Sequence, residues 1–449
     1  MPELPTLTRS RCQEILERVR RFSTAEEVEI LLTGGRQSLT RFANNIIHQN
    51  VEENSALLSV RAVVGQRTAR ATTNRFDDDS IRRVVEEAVS IARLQAPDPD
   101  LPPIAEPSTT PDVDRFDEPT AAAEPEFRAD AIRRAVQIAE SRSLTAAGTF
   151  SIGVSAEAVL NSRGLFAYHA QTRAEASITV MGPDSSGWAK ANSTRAGEID
   201  LERLAEVAVQ KALASRAPVE IPPGPYPVTL EPAAVLDLFG FLAYDFSATA
   251  LRDQRSFLTD RLGKPLFGSN ITIRDDACHP LQSGAPFDGE GIARRPLVLV
   301  DQGVVREVAY SRQSARLAGV EPTGHGFPVP NEYGEAPVNI VFSGGDSSVE
   351  EMVRSMDRGI LVTRLWYIRE VDPYQKILTG MTRDGTFLVE GGEIRRGLRN
   401  FRFNQSMIEL LRNVEALGPA VRAAGEESFE MVVPPLQVRE FHFSEVTKF

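Results

Sequence analysis

The sequence predicts an α+β fold: N-terminal units of helix, strand meander and helix are followed by a mostly antiparallel, β-rich C-terminal domain. Strand-like runs cluster along the chain, whereas a doubly wound sheet would alternate strands with helices one by one. The chain has 449 residues, of which 42% are hydrophobic and 25% charged. That composition is globular, and the length is too great for one ordinary core, so we expect two or three domains.

The first α+β unit is predicted over residues 1–95. Its opening helix, residues 9–22, follows from the helical spacing of Cys12, Ile15 and Val19. A strand meander comes next, because short apolar runs are separated by turn residues such as Asn and Gly. The predicted strands are 28–32, 38–43, 46–51, 57–64 and 68–73.

A second amphipathic helix closes this unit, because apolar residues from Ile81 to Ala92 form one stripe and Asp77 to Ser80 can cap it. Residues 96–125 then contain eight prolines among acidic residues, and we predict an exposed linker there. The second α+β unit, residues 126–221, repeats the pattern. It has predicted helices at 126–142 and 200–214 and strands broken at 161–164 and 182–184.

The β-rich domain is predicted over residues 222–449, after the boundary Pro222-Pro223-Gly224-Pro225. Helices are expected around 232–251 and 348–356, and late strands at 359–367, 385–390 and 430–443. The stretch from 270 to 326 has the densest chemistry of the chain, with two of the five histidines and one of the two cysteines. We therefore look for functional residues there.

A polar loop in that stretch separates two predicted strands, residues 271–273 and 296–300. A turn at 301–303 and a third strand, 304–310, complete an antiparallel hairpin. The loop, Phe287-Asp288-Gly289-Glu290-Gly291, holds two carboxylates and two glycines. Such a loop can present acids to a ligand, or it can be an ordinary glycine-rich connection whose acids accept backbone hydrogen bonds.

The order of motifs around this loop resembles the TldD/PmbA (TldE) family, a metallopeptidase family also known as modulator of DNA gyrase. The motifs are Asp275-Asp276, Pro286-Phe287-Asp288-Gly289-Glu290-Gly291, Ser314-Ala315 and Thr323-Gly324-His325-Gly326. Residues 41–49 resemble the family's first hairpin, and residues 379–394 its late strand pair. The resemblance implies a peptide-facing or partner-facing surface whose acids are exposed. Its residues would be Phe287, Asp288, Glu290, Gly291, Thr323, Gly324, His325 and Gly326.

The resemblance would also place a His-Glu-x-x-x-His zinc helix of TldD-type members before Asp275. In such a helix two imidazoles hold the metal, which lowers the pKa of a bound water, and the glutamate takes its proton. The aligned positions are Phe239, Gly240 and Tyr244, and Phe and Gly cannot ligate zinc. The chain is thus more similar to the TldE (PmbA) type. We expect it to have no metal ligands and no catalytic residues of its own.

Two alternatives keep some chemistry in the chain. Cys278 and His279 would join His325 in a metal or thiol site, since thiolate and imidazole are good zinc ligands. Alternatively, Cys278 would act as a nucleophile with a histidine and with Asp288 or Glu290. Both alternatives need side chains that are well separated in the sequence to meet in the fold.

The resemblance implies a non-zinc-binding subunit of a TldD/TldE-type metallopeptidase that acts on unfolded or leader peptides. Its partner would be a TldD-type subunit that carries the zinc, so no cofactor is expected in this chain, which we expect to be inactive alone. One alternative is a catalytically silent homodimer that binds peptide or protein. Another is an independent hydrolase with a site of a different kind.

Composition restricts the partners and the compartment. Fifty basic against 62 acidic residues give a net charge of −12, which repels a nucleic-acid backbone. Two cysteines, Cys12 and Cys278, are too few for a disulfide framework. No run of 18 apolar residues is present, and residues 1–5 lack a signal pattern. We expect a soluble cytoplasmic protein without nucleic-acid or membrane partners.

Overall fold

The computed structural model describes residues 7–447, so the expectation about residues 1–5 lies outside the described chain. The helices are α1 Arg9–Phe22, α2 Asp78–Leu94, α3 Glu118–Ala121, α4 Pro125–Glu140, α5 Leu201–Ala214, α6 Pro232–Phe239, α7 Ala248–Arg252, α8 Arg312–Ala318, α9 Val349–Ser355 and α10 Met407–Arg412. Short 3-10 turns lie at Ala196–Glu198 and Ala243–Phe246.

The strands fall into an N-terminal and a C-terminal group. The N-terminal strands are β1 Glu27–Ala43, β2 Ile46–Val64, β3 Arg67–Thr73, β4 Thr145–Asn161, β5 Phe166–Met181 and β6 Ser186–Ser193. The C-terminal strands are β7 Gly224–Leu230, β8 Ile273–Asp275, β9 Leu297–Asp301, β10 Val304–Val305, β11 Ile340–Phe342, β12 Arg358–Asp372, β13 Ile377–Glu390, β14 Glu393–Gly397, β15 Phe401–Ser406, β16 Val414–Leu417, β17 Val421–Ala423, β18 Met431–Val433 and β19 Leu436–Val446. The predicted α+β class is confirmed.

The two N-terminal units share one six-stranded antiparallel sheet, in the order β3-β2-β1-β4-β5-β6. Strands β1 and β4 pair over their full facing length and join the two units at the centre. Helices α1 and α2 pack with the first unit's strands in one apolar cluster, and α4 and α5 pack with the second unit's strands in another. All four long helices therefore cover the same side of the sheet.

Helix α1 begins and ends as predicted, with its apolar stripe buried and the Thr8 hydroxyl accepting from the Arg11 amide at 3.2 Å. The predicted meander has the wrong number of strands. The five short strands that we predicted correspond to three strands, β1, β2 and β3. Residues Gly34 and Gly35 continue β1, and residues 52–55 continue β2. Backbone pairing along the whole of β1 and β2 outweighs the weak strand propensity of glycine and glutamate.

The C-terminal region contains two further sheets. One has the order β10-β9-β8-β11-β18-β17. The other has seven strands, in the order β12-β7-β19-β15-β13-β14, with β16 paired to β19. Strand β13 also pairs with β12, so the path of pairing closes on itself. The predicted helix over 232–251 is broken into α6, a 3-10 turn and α7, because the Ser247 hydroxyl starts a new cap at 3.1 Å from the Ala250 amide. The predicted strand over 430–443 is two strands, because Pro434 and Pro435 interrupt it.

The segment 96–125 is more tightly packed than an exposed linker. Leu101, Ile104 and Ala105 are buried, and so is Arg115, whose guanidinium donates to the Gly284 carbonyl at 2.5 Å. Its proline-rich backbone runs between the N-terminal sheet and the C-terminal domain. The prediction of an exposed linker is wrong at these residues, because the apolar side chains between the prolines are buried against the rest of the protein. Within residues 7–447, no helix is long and apolar enough to span a bilayer.

Limited proteolysis tests this layout. We expect the first cut between residues 106 and 114, which are mostly exposed, and not at the buried anchors on either side. The nicked chain should still elute as one particle in native size-exclusion chromatography, because the anchors hold both fragments. A first cut inside residues 270–326, identified by mass spectrometry, would count against it.

Candidate functional site

The central loop packs against the N-terminal sheet. Phe287 is buried in an apolar cluster with Val159 and Ala167 of that sheet, with Leu165 of the turn between β4 and β5, and with Ala105 of the proline-rich segment. The backbone turns back at once, because the Phe287 position forms an isolated bridge with Ala293. The loop is therefore a joint between the two halves of the chain.

Asp288 organises the loop through its carboxylate. One oxygen accepts from the amides of Glu290 at 2.9 Å and Ile292 at 3.0 Å, and the other accepts from the Gly326 amide at 2.7 Å. Because Gly326 belongs to the second motif, this one side chain connects both motifs that the sequence singled out. Burial raises the pKa of Asp288, although the charge of Arg294 and the three backbone donors lower it.

Glu290 is equally buried and accepts from the Arg312 amide at 3.1 Å, at the first residue of α8. Its other oxygen lies 3.4 Å from the Arg312 guanidinium. Burial and the nearby Asp288 charge raise the pKa of Glu290. Gly326 is needed beside this pair, since a Cβ there would lie 2.7 Å from a Glu290 oxygen.

His325 is held by hydrogen bonds at both ring nitrogens. Its Nε2 lies 2.9 Å from Asp275 Oδ1, and its Nδ1 lies 2.9 Å from the Thr323 hydroxyl. The second oxygen of Asp275 accepts from the Asn339 amide at 2.7 Å. Burial opposes ionisation of Asp275, but the hydrogen bond and charge of His325 outweigh it and lower the pKa of Asp275. Gly324, with φ +72°, allows the tight approach of the Ala293 carbonyl beside this histidine.

Glu335 completes the cluster, although no motif around it marks it as a site residue. This fully buried carboxylate accepts from the Ser247 hydroxyl at 2.8 Å, the Thr249 amide at 2.7 Å and the Ser314 hydroxyl at 2.7 Å. It also accepts from the Ser311 amide at 3.0 Å. Glu335 therefore binds the N-terminal ends of α7 and α8 together. Only the fold reveals this role, because its partners come from two distant segments.

The expectation that the loop acids are exposed is wrong. Asp288 and Glu290 are each 1% exposed, and their oxygens satisfy backbone amides. Thr323 and His325 are buried as well. All eight predicted surface residues are thus buried in a packed joint, and the geometry favours a loop fixed by its own acids. Whether this joint also contributes to peptide or partner binding stays a prediction.

The suggested Cys278, His279 and His325 site is not assembled in the fold. Cys278 is exposed, His279 Nδ1 accepts from the Leu281 amide at 3.2 Å, and both ring nitrogens of His325 are engaged elsewhere. Within residues 7–447, no group of three or more His, Cys, Asp or Glu side chains is placed to hold a metal ion. A nucleophile built on Cys278 likewise lacks Asp288 and Glu290, which are bonded to backbone amides.

The positions aligned with the zinc helix do not fit a metal. Phe239 is 4% exposed, and its ring centre lies 5.0 Å from that of Phe342. A Cβ on Gly240 would lie 1.8 Å from the Ser428 hydroxyl oxygen, so the segment around Ser428 occupies the space of any ligand side chain. Tyr244 stacks edge-on against Tyr333, with ring centres 5.9 Å apart. No zinc donor is available from two of these three positions.

Asp237, one turn before Gly240, holds that covering segment in place. One of its oxygens accepts from the amides of Glu426 at 3.2 Å and Glu427 at 3.0 Å, and the other is buried without a partner. The pKa of Asp237 is raised to about 7. Burial is the largest cause, and the charges of Glu427 and Glu426 act in the same direction, while the two backbone hydrogen bonds oppose the rise. The carboxyl group is therefore close to half protonated near neutral pH.

Comparison with known proteins gives the family. Three models match in order: PmbA/TldA metallopeptidase domain 1 over residues 28–92, the central domain over 114–216 and the C-terminal domain over 223–445. The chain belongs to the PmbA/TldD metallopeptidase family. The metalloprotease PmbA of Escherichia coli O157:H7 is 25% identical over 412 residues, which is 88% of each chain.

Relatives of the other family type match too. A metalloprotease TldD homologue of Buchnera aphidicola subsp. Acyrthosiphon pisum is 23% identical over 406 residues, covering 84% of this chain and 81% of its own. Among solved structures, TldE of Thermococcus kodakarensis superposes with a TM-score of 0.88 at 21% identity, covering 96% of this chain and 99% of that one. A Thermotoga maritima MSB8 protein described as a modulator of a DNA gyrase gives 0.87 at 21% identity, covering 96% and 100%. These two structures establish the PmbA/TldD-type fold.

Asp288→Asn tests the role of the loop acid. The amide group of asparagine offers only one acceptor oxygen, so at least one buried backbone N–H loses its partner, and we expect a loss of about 2 kcal/mol in the free energy of unfolding. The control is Asp301→Asn, a half-exposed acid in the adjacent hairpin, which should change stability by less than about 0.5 kcal/mol. Equal stability of both variants in urea unfolding would show that Asp288 does not fix the loop.

Asp237→Asn tests the raised carboxyl pKa. The folded pKa of about 7 lies above the ordinary value of 3.8, so the native protein binds the proton more tightly and loses stability as pH rises between these values. Asparagine does not ionise, so the stability of the variant relative to the wild type should rise between about pH 5 and about pH 7, by on the order of 2 kcal/mol. Asp301→Asn is again the control. A pH-independent difference in melting temperature would refute the assignment.

Proposed function

We propose that this chain is the non-zinc-binding subunit of a TldD/TldE-type metallopeptidase that acts on unfolded or leader peptides. The observation that carries the proposal is the chemistry at Phe239, Gly240 and Tyr244. A buried ring and a glycine beneath Ser428 offer no metal donor where a TldD-type helix would have its ligands. A chain that keeps the family fold without those donors is suited to a supporting role.

The proposal assigns the zinc to a TldD-type partner and no cofactor to this chain. Similarity to the Escherichia coli PmbA over 88% of both chains, and to the Thermococcus TldE fold over 96% of this chain, supports a subunit of the PmbA (TldE) type. Both cysteines are free thiols, which fits the reducing cytoplasm that we propose for the complex.

An open sheet edge supports a protein partner. Strand β3 pairs with only the second half of β2, so residues 46–57 have no strand on their outer side within the described chain. Ile46, Val51 and Leu57 are 67%, 42% and 41% exposed along this edge. Exposed edges of this length favour pairing with another chain. A second copy of this chain would use the same edge, which is the observation that favours the homodimer as the alternative.

Metal analysis combined with co-purification tests the proposal. The tagged chain is expressed alone and together with a TldD-type relative that has the His-Glu-x-x-x-His motif. We expect far less than one zinc in the chain alone, and a heterodimer with about one zinc per pair that cleaves an unfolded peptide. The control is Cys278→Ser, because the exposed thiol can bind adventitious zinc.

Two results would contradict the proposal. One is stoichiometric zinc in the chain alone that is lost in His325→Ala or Cys278→Ser. The other is a stable homodimer, by light scattering, that excludes the zinc-bearing relative.

A further inference from the structure

The N-terminal sheet has a second face that the four helices leave uncovered. Val154, Ala156 and Ala158 of β4 point into the helix-covered core, so the alternating residues Ser155 and Glu157 lie on the opposite face. Near the domain joint this face is covered by Phe287 and its neighbours. Farther from the joint it remains open and polar.

Small residues make the middle of this open face concave. In the strand register Gly35 lies between Ser55 and Ser155, and Gly153 lies opposite Gln37. The resulting depression has a volume of about 560 Å³ and meets the C-terminal domain at Ala285. We call it the sheet trough.

Two polar groups in the sheet trough have hydrogen-bonding atoms that are not used. Glu157 and His169 are directly opposite each other on β4 and β5, which places their Cβ atoms about 5 Å apart. His169 is only 8% exposed, and its Nε2 has no hydrogen-bond partner. Glu157, within the described chain, has no hydrogen bond or ion pair. A polar group left unpaired in a buried position costs free energy that a ligand with matching groups recovers.

The neighbouring charges favour a cation over an anion. Arg173 is neutralised by Glu175 at 2.8 Å and Glu430 at 2.5 Å. The Arg36 side chain lies on the helix-covered side of β1, with Ile30 and Leu32, and donates there to the Ala121 carbonyl. The charge of Arg294 acts on Glu157, but the guanidinium is too far for an ion pair, and its Nε donates to the Phe287 carbonyl at 3.1 Å. Burial raises the pKa of Glu157 and the charge of Arg294 lowers it, so a cation bound beside Glu157 would favour its ionised form.

The protonation state of His169 also favours a cationic ligand. Burial, and then the charge of Arg115, lower the pKa of His169 to about 4, so the ring is neutral at neutral pH. A neutral imidazole with its proton on Nδ1 offers Nε2 as an acceptor. A ligand ammonium group carries three donors, enough for Glu157 and His169 together.

We propose that the sheet trough binds a basic side chain of a peptide, with Glu157 as the ion-pair partner of its ammonium or guanidinium group and His169 as the adjacent hydrogen-bond acceptor. The choice of a peptide as ligand rests on the proposed function. The preference for a positive charge rests on the sheet trough alone. The serines and glycines of its floor leave room for the stem of a lysine or arginine.

The test uses the full chain by itself, without zinc or a partner. Fluorescence anisotropy measures binding of a labelled pentapeptide with a central lysine and of the matched peptide with norleucine, which has the same stem without the ammonium group. We expect the lysine peptide to bind about tenfold more tightly or better. Glu157→Gln should remove that preference. Glu87→Gln, an exposed acid on the helix-covered side, is the control and should keep it.

A second variant tests the proposal independently, in case Glu157→Gln does not fold. Ser155 is exposed, so Ser155→Arg should fold normally and place its own cation beside Glu157, abolishing lysine-peptide binding at an unchanged melting temperature. Equal affinity for both peptides, no binding of either, or a lysine preference that survives both trough variants would overturn the proposal. None of these results bears on zinc content or on the partner, so the subunit role is judged separately.

Discussion

The structure depends on the loop 287–291, whose acidic side chains accept hydrogen bonds from backbone amides. The Asp288 carboxylate collects three amides from two motifs, and Glu290 fixes the first residue of α8. Phe287, which directly precedes Asp288 in the chain, can then pack against the N-terminal sheet as a rigid anchor. If the carboxylates did not hold the loop, the two halves of the chain would have no fixed contact at this point. The position of the sheet trough beside Ala285 follows from the same joint.

The chain has the family fold, and Phe239 and Gly240 offer no metal donor at the positions aligned with the zinc helix. Asp237 and Ser428 close the space around Gly240, so this region is packed core that contains one buried carboxyl group with a raised pKa. On the open sheet face Glu157 and His169 lie opposite each other, and His169 Nε2 is buried without a hydrogen-bond partner.

Much of the fold was predictable, because local patterns determine it. Helix α1 follows from a stripe that only a helix can bury on one side, and the Asp77 cap of α2 is a local signal. The length of β1 was not predictable, since pairing with β2 and β4 decides it. The loop motifs were found, but the burial of Asp288 was not, because the Gly326 amide that satisfies it lies far along the chain. Glu157 and His169 were missed, because their meeting depends on strand register.

The central claim is that the metal chemistry belongs to a partner and not to this chain. The most direct measurement is peptide cleavage by the reconstituted pair when both histidines of the partner's His-Glu-x-x-x-His motif are changed to alanine. The account predicts that cleavage and bound zinc both disappear, while the pair still forms and this chain is unaltered. Cleavage that persists in that pair, and is then abolished by His325→Ala in this chain, would contradict it.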